Sequence, residues 1–402
     1  MKNFFLILAV QLCIVQNSME QNSKINIQSS GKPPYYKDLL TSTPYYVDKK
    51  IDTFITTKSI TIQGRFLNAT DEIFDTFYII NQETCLNFIK NEALIKDSIG
   101  INFLVGNKNE VTLSNSSNFP TNVTLQEDVY KNAKSLTFYI GLALGLIPEV
   151  RRPDRQIDVN VDMENVIEEY KKYYEIANKS NVPYLNDTDF DFKSAMFFDS
   201  NFGLLKGKQS TYTVKLYKDY QYPSYVSKSF SHNDYKHMYY YYCDWSKIQN
   251  NCKNGGFPVP NDKNRCKCPY YLTGDKCEEF FPDYHNPIYY NAKHVTTFSL
   301  MANSTEQCVS VNLKDELLFL KVTSKNGKNV SIVIEDLKFE RTNCKIGRSY
   351  LEIFIREDKG AAGINLCKDS ENITLPALSK EVFLVFKAYY ENTSLSFSFK
   401  ED

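Results

Sequence analysis

A stretch near the middle of the chain constrains its fold more than any other. Its apolar spacing predicts a helix from Glu127 to Leu144, because residues three and four apart fall on one helix face. One apolar stripe of this helix consists of Val129, Ala133, Leu136 and Ile140. Phe138 and Leu142 form a second stripe, which predicts plain core packing, and Gly145 is placed to end the helix.

The residues after this helix carry a family resemblance. Glu149 and the run Arg152-Pro-Asp-Arg155, together with Gly145, resemble the astacin metalloendopeptidase motif H-E-x-x-H-x-x-G-x-x-H-E-x-x-R-x-D-R. The resemblance implies an α+β fold, in which a zincin, astacin-like protease domain is followed by a small disulfide-rich EGF-like module and a β-sandwich CUB domain. The retained scaffold residues would be Gly145, Glu149, Arg152, Asp154, Arg155 and, from a second motif, Met196.

Other residues occupy the positions of the family's chemistry. The three zinc-binding histidines fall on Phe138, Leu142 and Pro148, and the general-base glutamate falls on Tyr139. A catalytic zinc needs about three ligands with nitrogen, oxygen or sulfur donors, which phenylalanine, leucine and proline lack. A tyrosine hydroxyl keeps its proton at neutral pH, so it is a poor base. We therefore expect no catalytic residue, no metal ligand and no cofactor, although zinc is the cofactor of active family members.

A second family motif shows the same loss. The segment from Phe190 to Phe198 resembles the Met-turn, S-x-M-H-Y, with Met196 retained, Phe197 in place of the histidine and Phe198 in place of the zinc-assisting tyrosine. All the histidines of the chain follow this turn: His232, His237, His285 and His294. The first two are five residues apart, a poor spacing for one metal on one helix face.

The cysteines indicate an oxidising compartment. Glu83-Thr84-Cys85 resembles the start of the family's first helix, and Ser231 to Tyr242 resembles its last helix, with Ser231 and Asp234 as a plausible start. The family, its EGF-like module and its CUB domain together imply four disulfides: Cys85–Cys243, Cys252–Cys266, Cys268–Cys277 and Cys344–Cys367. Cys308 has no partner in this scheme, and we expect it to be a buried core residue, with a free thiol or an intermolecular link as the alternatives.

The C-terminal third predicts strands. Alternating apolar runs such as Val330 to Ile334 and Leu395 to Phe399 are typical of a sandwich, and this region resembles a CUB domain. The acidic residue that many CUB domains use for calcium is not evident, since Lys345 to Arg348 stands there, so we predict no calcium.

The N-terminus predicts export. Lys2 and the short apolar stretch Phe4 to Val15 are typical of a signal peptide, and the run is too short to span a bilayer. The expected organisation is a signal peptide 1–18, a short segment 19–42, an astacin-like domain 43–243, an EGF-like module 244–281 and a CUB-like domain 282–402. Nine N-x-S/T sites predict glycosylation: Asn68, Asn115, Asn122, Asn178, Asn186, Asn303, Asn329, Asn372 and Asn392.

The charge composition of the chain limits the kinds of partner that it is expected to bind. A net charge of -1, without a Lys/Arg block, argues against nucleic acid or an anionic membrane. Three functions compete. The favoured one is a secreted, non-catalytic astacin-like glycoprotein that binds an extracellular protein through the vestigial cleft or the CUB domain. The alternatives are an active zinc metalloendopeptidase and a structural matrix glycoprotein.

Overall fold

A computed structural model describes most of the chain after the N-terminal segment. The described residues run from 42 to 402, except 57–59, 63–64, 68–71, 180–181, 216–228, 244–249, 261, 281–293, 341–348 and 389–391. The predicted signal peptide, the segment 19–42 up to residue 41, Asn68, His285 and Cys344 lie outside them.

Helices and strands alternate up to the last helix, which ends at Tyr242, and the described residues after it form strands. The helices are α1 (Lys49–Thr56), α2 (Glu72–Glu83), α3 (Glu127–Tyr130), α4 (Ala133–Ala143) and α5 (His232–Tyr242). The strands before α5 are β1 (Thr43–Val47), β2 (Ile60–Ile62), β3 (Arg65–Leu67), β4 (Phe88–Lys90), β5 (Ile101–Val105), β6 (Glu110–Thr112), β7 (Thr121–Leu125), β8 (Val159–Val161) and β9 (Tyr212–Val214). The strands after it are β10 (Phe257–Val259), β11 (Asp262–Lys267), β12 (Leu272–Thr273), β13 (Glu279–Phe280), β14 (His294–Ala302), β15 (Gln307–Lys314), β16 (Glu316–Ser324), β17 (Val330–Phe339), β18 (Tyr350–Phe354), β19 (Ile364–Leu366), β20 (Ser370–Leu375), β21 (Glu381–Lys387) and β22 (Asn392–Glu401).

The N-terminal sheet has the order β4-β1-β5-β7-β6. Its first four strands are parallel and β6 is antiparallel to β7. Parallel strands are usually buried on both faces, and the central strands are indeed largely buried. Helix α4 contributes to the same hydrophobic core as this sheet and α2.

Two helix boundaries differ from the sequence prediction. The helix predicted from Glu127 to Leu144 is broken, because Asn132 adopts an extended backbone and its side chain caps α4 by accepting from the Ser135 amide. The segment expected to begin the first family helix instead follows the end of α2 at Glu83. Residues Thr84 and Cys85 leave this helix, with the Thr84 hydroxyl donating to the Ile80 carbonyl. The capped start predicted for α5 is confirmed, since Ser231 and Asp234 form a full capping box.

The C-terminal strands form a β-sandwich. One sheet has the order β14-β16-β21-β18-β19 and the other β15-β22-β17-β20. Strand β21 is buried on both faces: Val382, Leu384 and Phe386 face the sandwich core, while Phe383 and Val385 belong to a second cluster. The outer face is covered by the segment 250–280, which we call the cysteine-rich module and which contributes Tyr271, Leu272 and Phe280 to that cluster. The continuous apolar run of β21 follows from this double burial.

Three disulfides are described in full. Cys85 bonds to Cys243, Cys252 to Cys266 and Cys268 to Cys277. Cys367 is also disulfide-bonded, while its predicted partner Cys344 lies outside the described residues. The expectation that Cys308 is buried is wrong: its thiol is free and exposed, because it lies on the edge strand β15, most of whose side chains stay partly open to solvent.

No helix in the described part of the chain has the length and apolar character to cross a membrane. The domain boundaries stay predictions.

Candidate functional site

Helix α4 is held in place at both ends by its own sequence. Asn132 caps its first turn, and Gly145 ends it in a left-handed conformation with φ 79°. The Leu146 amide donates to the Gly141 carbonyl at 3.0 Å and the Gly145 amide donates to the Leu142 carbonyl at 2.9 Å. These two bonds satisfy the last free carbonyls of the helix and require a residue without strain at positive φ, which is why glycine stands there.

The Met-turn packs directly beneath α4. Met196 is 1% exposed, and a side-chain carbon built on Gly141 would collide with its sulfur. The backbone of the turn is fixed by Asp234, which accepts from the Ser194 hydroxyl at 2.6 Å and the Ala195 amide at 2.9 Å. Burial raises the pKa of Asp234 to about 6. Met196 therefore joins the turn to α4, and Asp234 joins it to α5.

Residues predicted to stand at the zinc-ligand positions of the family lie within packed aromatic rings. Phe138 is 4% exposed, and its ring centroid lies 5.6 Å from that of Phe198 and 5.5 Å from that of Phe202, both in edge-to-face geometry. Phe198 and Phe202 lie 4.5 Å apart. Tyr173 completes the group at 5.3 Å from Phe202. We call Phe138, Tyr173, Phe198 and Phe202 the aromatic cluster.

The remaining family positions are buried as well. Leu142 is 6% exposed within the same core, and Pro148 is also buried. Tyr139, at the general-base position, is 2% exposed, and burial raises the pKa of its hydroxyl well above the usual value. This hydroxyl therefore keeps its proton throughout the physiological range. Phe197 is half-buried and packs against Phe190 and Phe192 instead of facing solvent.

Three of the predicted scaffold residues, Arg152, Asp154 and Arg155, take part in polar contacts after α4, in which both arginines are buried and Asp154 is exposed. Arg152 is fully buried and donates from Nε to Asp154 Oδ1 and from a second nitrogen to Asp154 Oδ2, each at 2.9 Å. It also donates to the Thr188 carbonyl at 2.5 Å. Arg155 donates to the carbonyls of Val150 and Tyr174. This network ties the chain after α4 to the segment before the Met-turn, a structural task that needs no metal.

Glu149 links the same network to the Met-turn. Its Oε2 accepts from the Asp191 amide at 3.0 Å, and its own amide donates to the Met196 carbonyl at 3.0 Å. Complete burial raises the pKa of Glu149 to about 8, with Arg152 acting in the opposite direction. Glu149 therefore positions the Met-turn against α4.

Sequence reasoning missed part of the aromatic cluster. Tyr173 and Phe202 belong to no family motif, and Tyr170 also packs on Phe202 at 5.1 Å. The only available signal is the chain's high number of aromatic residues, 29 Tyr and 27 Phe, which does not identify which rings meet.

The predicted glycosylation sites that fall in the described residues are all accessible. Asn115, Asn178, Asn186, Asn329, Asn372 and Asn392 are exposed, while Asn122 and Asn303 are half-buried. None of these eight side chains would have to leave a core to carry a glycan.

Comparisons with known proteins show that residues 58–243 are similar to a family of peptidases. A family model described as Astacin, a peptidase family, matches residues 58–243. The zinc metalloproteinase dpy-31 of Haemonchus contortus is 28% identical over 214 residues, which cover 50% of this chain and 36% of that protein. The dpy-31 protein of Caenorhabditis elegans is 32% identical over 151 residues, covering 35% and 24%. The chain thus spans about a third or less of the length of these relatives.

A solved structure was also similar. High choriolytic enzyme 1, a hatching enzyme zinc-protease from Oryzias latipes, gives a TM-score of 0.37 at 16% identity, covering 50% of this chain and 90% of that one.

These comparisons correct one expectation. We expected no cofactor, and this is wrong for the family to which the domain is matched, because the relatives are named zinc metalloproteinases. Zinc is therefore the cofactor that the family implies. The fit of zinc to this helix is a separate matter: Phe138, Leu142 and Pro148 offer no donor atom. Within the described residues, no three His, Cys, Asp or Glu side chains are grouped so that they could hold a metal. The residues present do not fit the ion, and no chemical step is derived through it.

Proposed function

We propose, from the premise that residues 58–243 form a domain of the astacin family of peptidases, that this chain is a secreted, non-catalytic protein that binds a protein partner outside the cell. The observation that carries the proposal is the aromatic cluster. Phe138 and Phe198 stand where the family has a zinc histidine and the assisting tyrosine, and their rings are in edge-to-face contact at 5.6 Å.

Loss of catalysis follows from chemistry at two positions. Peptide hydrolysis in this family needs a base that takes a proton from water, and the base position holds Tyr139, whose buried hydroxyl keeps its proton because burial raises its pKa. The water and the substrate carbonyl also need space beside α4. The rings of Phe138, Phe198 and Phe202 fill that space, and rings packed at 4.5 to 5.6 Å leave no room for a peptide between them.

Export and binding are supported by other parts of the chain. Described disulfides such as Cys85–Cys243 form in oxidising compartments, and the described glycosylation sites are accessible. The β-sandwich adds two sheets that carry no part of the former active site. A domain that keeps its fold without catalytic activity still has surfaces that can bind another protein. We assign the contact with the protein partner to the β-sandwich and to the parts of the chain that pack against it.

A protease assay tests the non-catalytic part. The full secreted chain is incubated with casein and gelatin in the presence of added zinc, beside an active astacin-family enzyme as the positive control. We expect cleavage at the background rate. Cleavage that rises with zinc and is abolished by a chelator would overturn the proposal.

A quantitative capture experiment tests the binding part. The glycosylated full chain is immobilised and exposed to extracellular fluid from the source organism, and enrichment is measured by mass spectrometry against a denatured and refolding-blocked sample of the same chain. We expect one or a few proteins to bind saturably. Only insoluble, non-saturable association would favour a structural matrix protein instead.

The second candidate is a zinc metalloendopeptidase. The names of the relatives favour it, since the matched proteins of Haemonchus contortus and Caenorhabditis elegans are both called zinc metalloproteinases. The protease assay separates the two candidates, because only this one predicts turnover of casein.

A further inference from the structure

An open groove of about 570 Å³ lies at one end of the sheet β15-β22-β17-β20, where β22 begins between the ends of β15 and β17. Its wall includes Asn392, the first residue of β22, which also begins the predicted glycosylation sequence Asn392-Thr393-Ser394. Because a sugar attached to Asn392 starts at the wall of the groove, the chain itself supplies the occupant. Pockets for small molecules enclose about 300–1,000 Å³, so the volume suffices for a sugar ring.

The strand register places the Asn392 side chain on the outer face of the sheet. Leu313, Thr393 and Phe339 are paired across β15, β22 and β17, and all three are buried, so this row faces the sandwich core. Successive residues of a strand point to opposite faces of its sheet. Asn392 directly precedes Thr393 and therefore points outward, and its partner on β15, Lys314, points outward beside it.

The backbone of the attachment residue is held by the neighbouring strands. The Asn392 amide donates to Glu340 Oε2 at 2.8 Å, and the Glu340 amide donates to the Asn392 carbonyl at 3.2 Å. On the other side, the register pairs Asn392 with Lys314 of β15. The first sugar of a glycan on this residue therefore starts from a fixed point and meets the same neighbouring side chains in every molecule.

The groove offers hydrogen-bonding groups on its β15 side. Asn312 and Lys314 line it and are exposed, and within the described residues neither side chain has a hydrogen-bond or ion-pair partner. An asparagine amide both donates and accepts, and a lysine ammonium carries three donors. Lys338 on the β17 side differs, because its ammonium is paired with Asp336 and Glu371. The hydroxyl and acetamido groups of an N-acetylglucosamine match the unpaired groups of the β15 side.

We propose that the first sugar of a glycan on Asn392, an N-acetylglucosamine, lies in this groove and is held by hydrogen bonds to Asn312 and Lys314. The inference rests on the export that is part of the proposed function, because sugars are attached to asparagine in the secretory pathway. It gives this sugar a structural task. Strand β15 is an edge strand, and a sugar bound to its end hinders the pairing of that edge with another chain.

Removal of glycans from the native chain tests the proposal. The full chain, secreted from eukaryotic cells, is treated with an enzyme that cleaves the bond between asparagine and the first sugar, and release at each site is followed by mass spectrometry. Asn372 is the comparison, because it is also exposed on a strand of this sheet but does not line the groove. We expect release at Asn392 to be at least about tenfold slower, the ratio given by one or two hydrogen bonds. After denaturation the two rates should be similar.

Variants locate the contacts of the sugar. Asn312→Ala and Lys314→Ala together remove the donors and leave the glycosylation sequence intact. Both residues are exposed, so the chain should fold, and release at Asn392 should rise to about the rate at Asn372. Ser310→Ala is the matched control, since Ser310 lies on the same strand and is exposed but does not line the groove. This variant should leave the release rate at Asn392 unchanged.

Occupancy of the predicted glycosylation sites separates this proposal from the proposed function. A secreted chain with sugars at other sites but none at Asn392 overturns the groove proposal alone, whereas a chain retained inside the cells without any sugar contradicts export as well. Equal release at Asn392 and Asn372 in the native chain, or slow release that persists in the folded double variant, also overturns the groove proposal. Neither of these results bears on the protease assay.

Discussion

Replacement of Phe138 by alanine should strongly destabilise the astacin-family domain. The side chain is 4% exposed, and its ring contacts those of Tyr139, Tyr173, Phe198 and Phe202 at 5.3, 6.2, 5.6 and 5.5 Å. Truncation of a buried phenylalanine costs about 3–5 kcal/mol, because the transfer energy is lost and a cavity remains. Edge-to-face pairs add about 0.5–1.5 kcal/mol each beyond the buried area. We therefore expect a loss near the upper end of the truncation range, about 4–5 kcal/mol.

The assay is guanidinium unfolding followed by circular dichroism. Phe74→Ala is the matched control, since Phe74 also lies on a helix but is 50% exposed, and it should change the free energy of unfolding by less than about 1 kcal/mol. Equal stabilities of the Phe138→Ala variant and this control would refute the reasoning. In that case the rings would not form a closed core, and the space beside α4 would be open to a substrate.

Three further predictions concern other parts of the chain. Replacing both Cys85 and Cys243 by alanine should cost about 5 kcal/mol of unfolding free energy, because the bridge closes a loop with a sequence separation of 158; a loss under about 1 kcal/mol would contradict this. Burial lowers the pKa of His232 from 6.5 to about 4, so its contribution is present above pH 6.5 and is lost as the pH falls toward 4; the unaltered chain should then lose about 3 kcal/mol relative to His232→Phe, and parallel stability curves would refute the assignment. Exposed Cys308 should react with iodoacetamide in the native protein within minutes, whereas reaction only after denaturation, measured by mass spectrometry, would show that it is covered.

Features that depend on neighbouring residues could be predicted from the sequence. The capping box of Ser231 and Asp234 and the helix end at Gly145 each need only a few adjacent residues, and both are confirmed. The break before α4 is not predicted, although Asn132 is a strong N-cap residue. The apolar periodicity continues across Asn132, so the sequence pattern predicts one continuous helix and does not reveal the N-cap.

Features that depend on distant residues could not be predicted in the same way. Strand β21 is apolar at successive positions, which favours burial on both faces. Its sequence does not indicate that Tyr271 and Phe280 are the residues that cover its outer face. The meeting of Phe138 with Tyr173 and Phe202 likewise depends on the path of the chain between them. The family motifs predicted which positions, such as Phe138, differ from the zinc ligands. Which rings pack around Phe138 depends on the three-dimensional structure.

The contact between Gly255 and the sandwich has a consequence for how this protein can change. A side-chain carbon on Gly255 would collide with Asp358 Oδ1 and lie 2.6 Å from the Gly360 amide, so a turn of the cysteine-rich module is pressed against a sandwich loop. Asp358 Oδ2 in turn accepts from the Asp189 amide at 3.0 Å and from the Asn233 amide group at 2.7 Å.

Modules of this size are often regarded as interchangeable beads on a string. In this protein the cysteine-rich module contacts the sandwich loop at Asp358, and that loop in turn contacts α5 at Asn233. Exchange of the module for one with a larger residue at the Gly255 position would push the sandwich loop away from α5, where Asn233 lies. An exchange of the module would therefore have to be designed together with the residues that it contacts, Asp358 and Gly360.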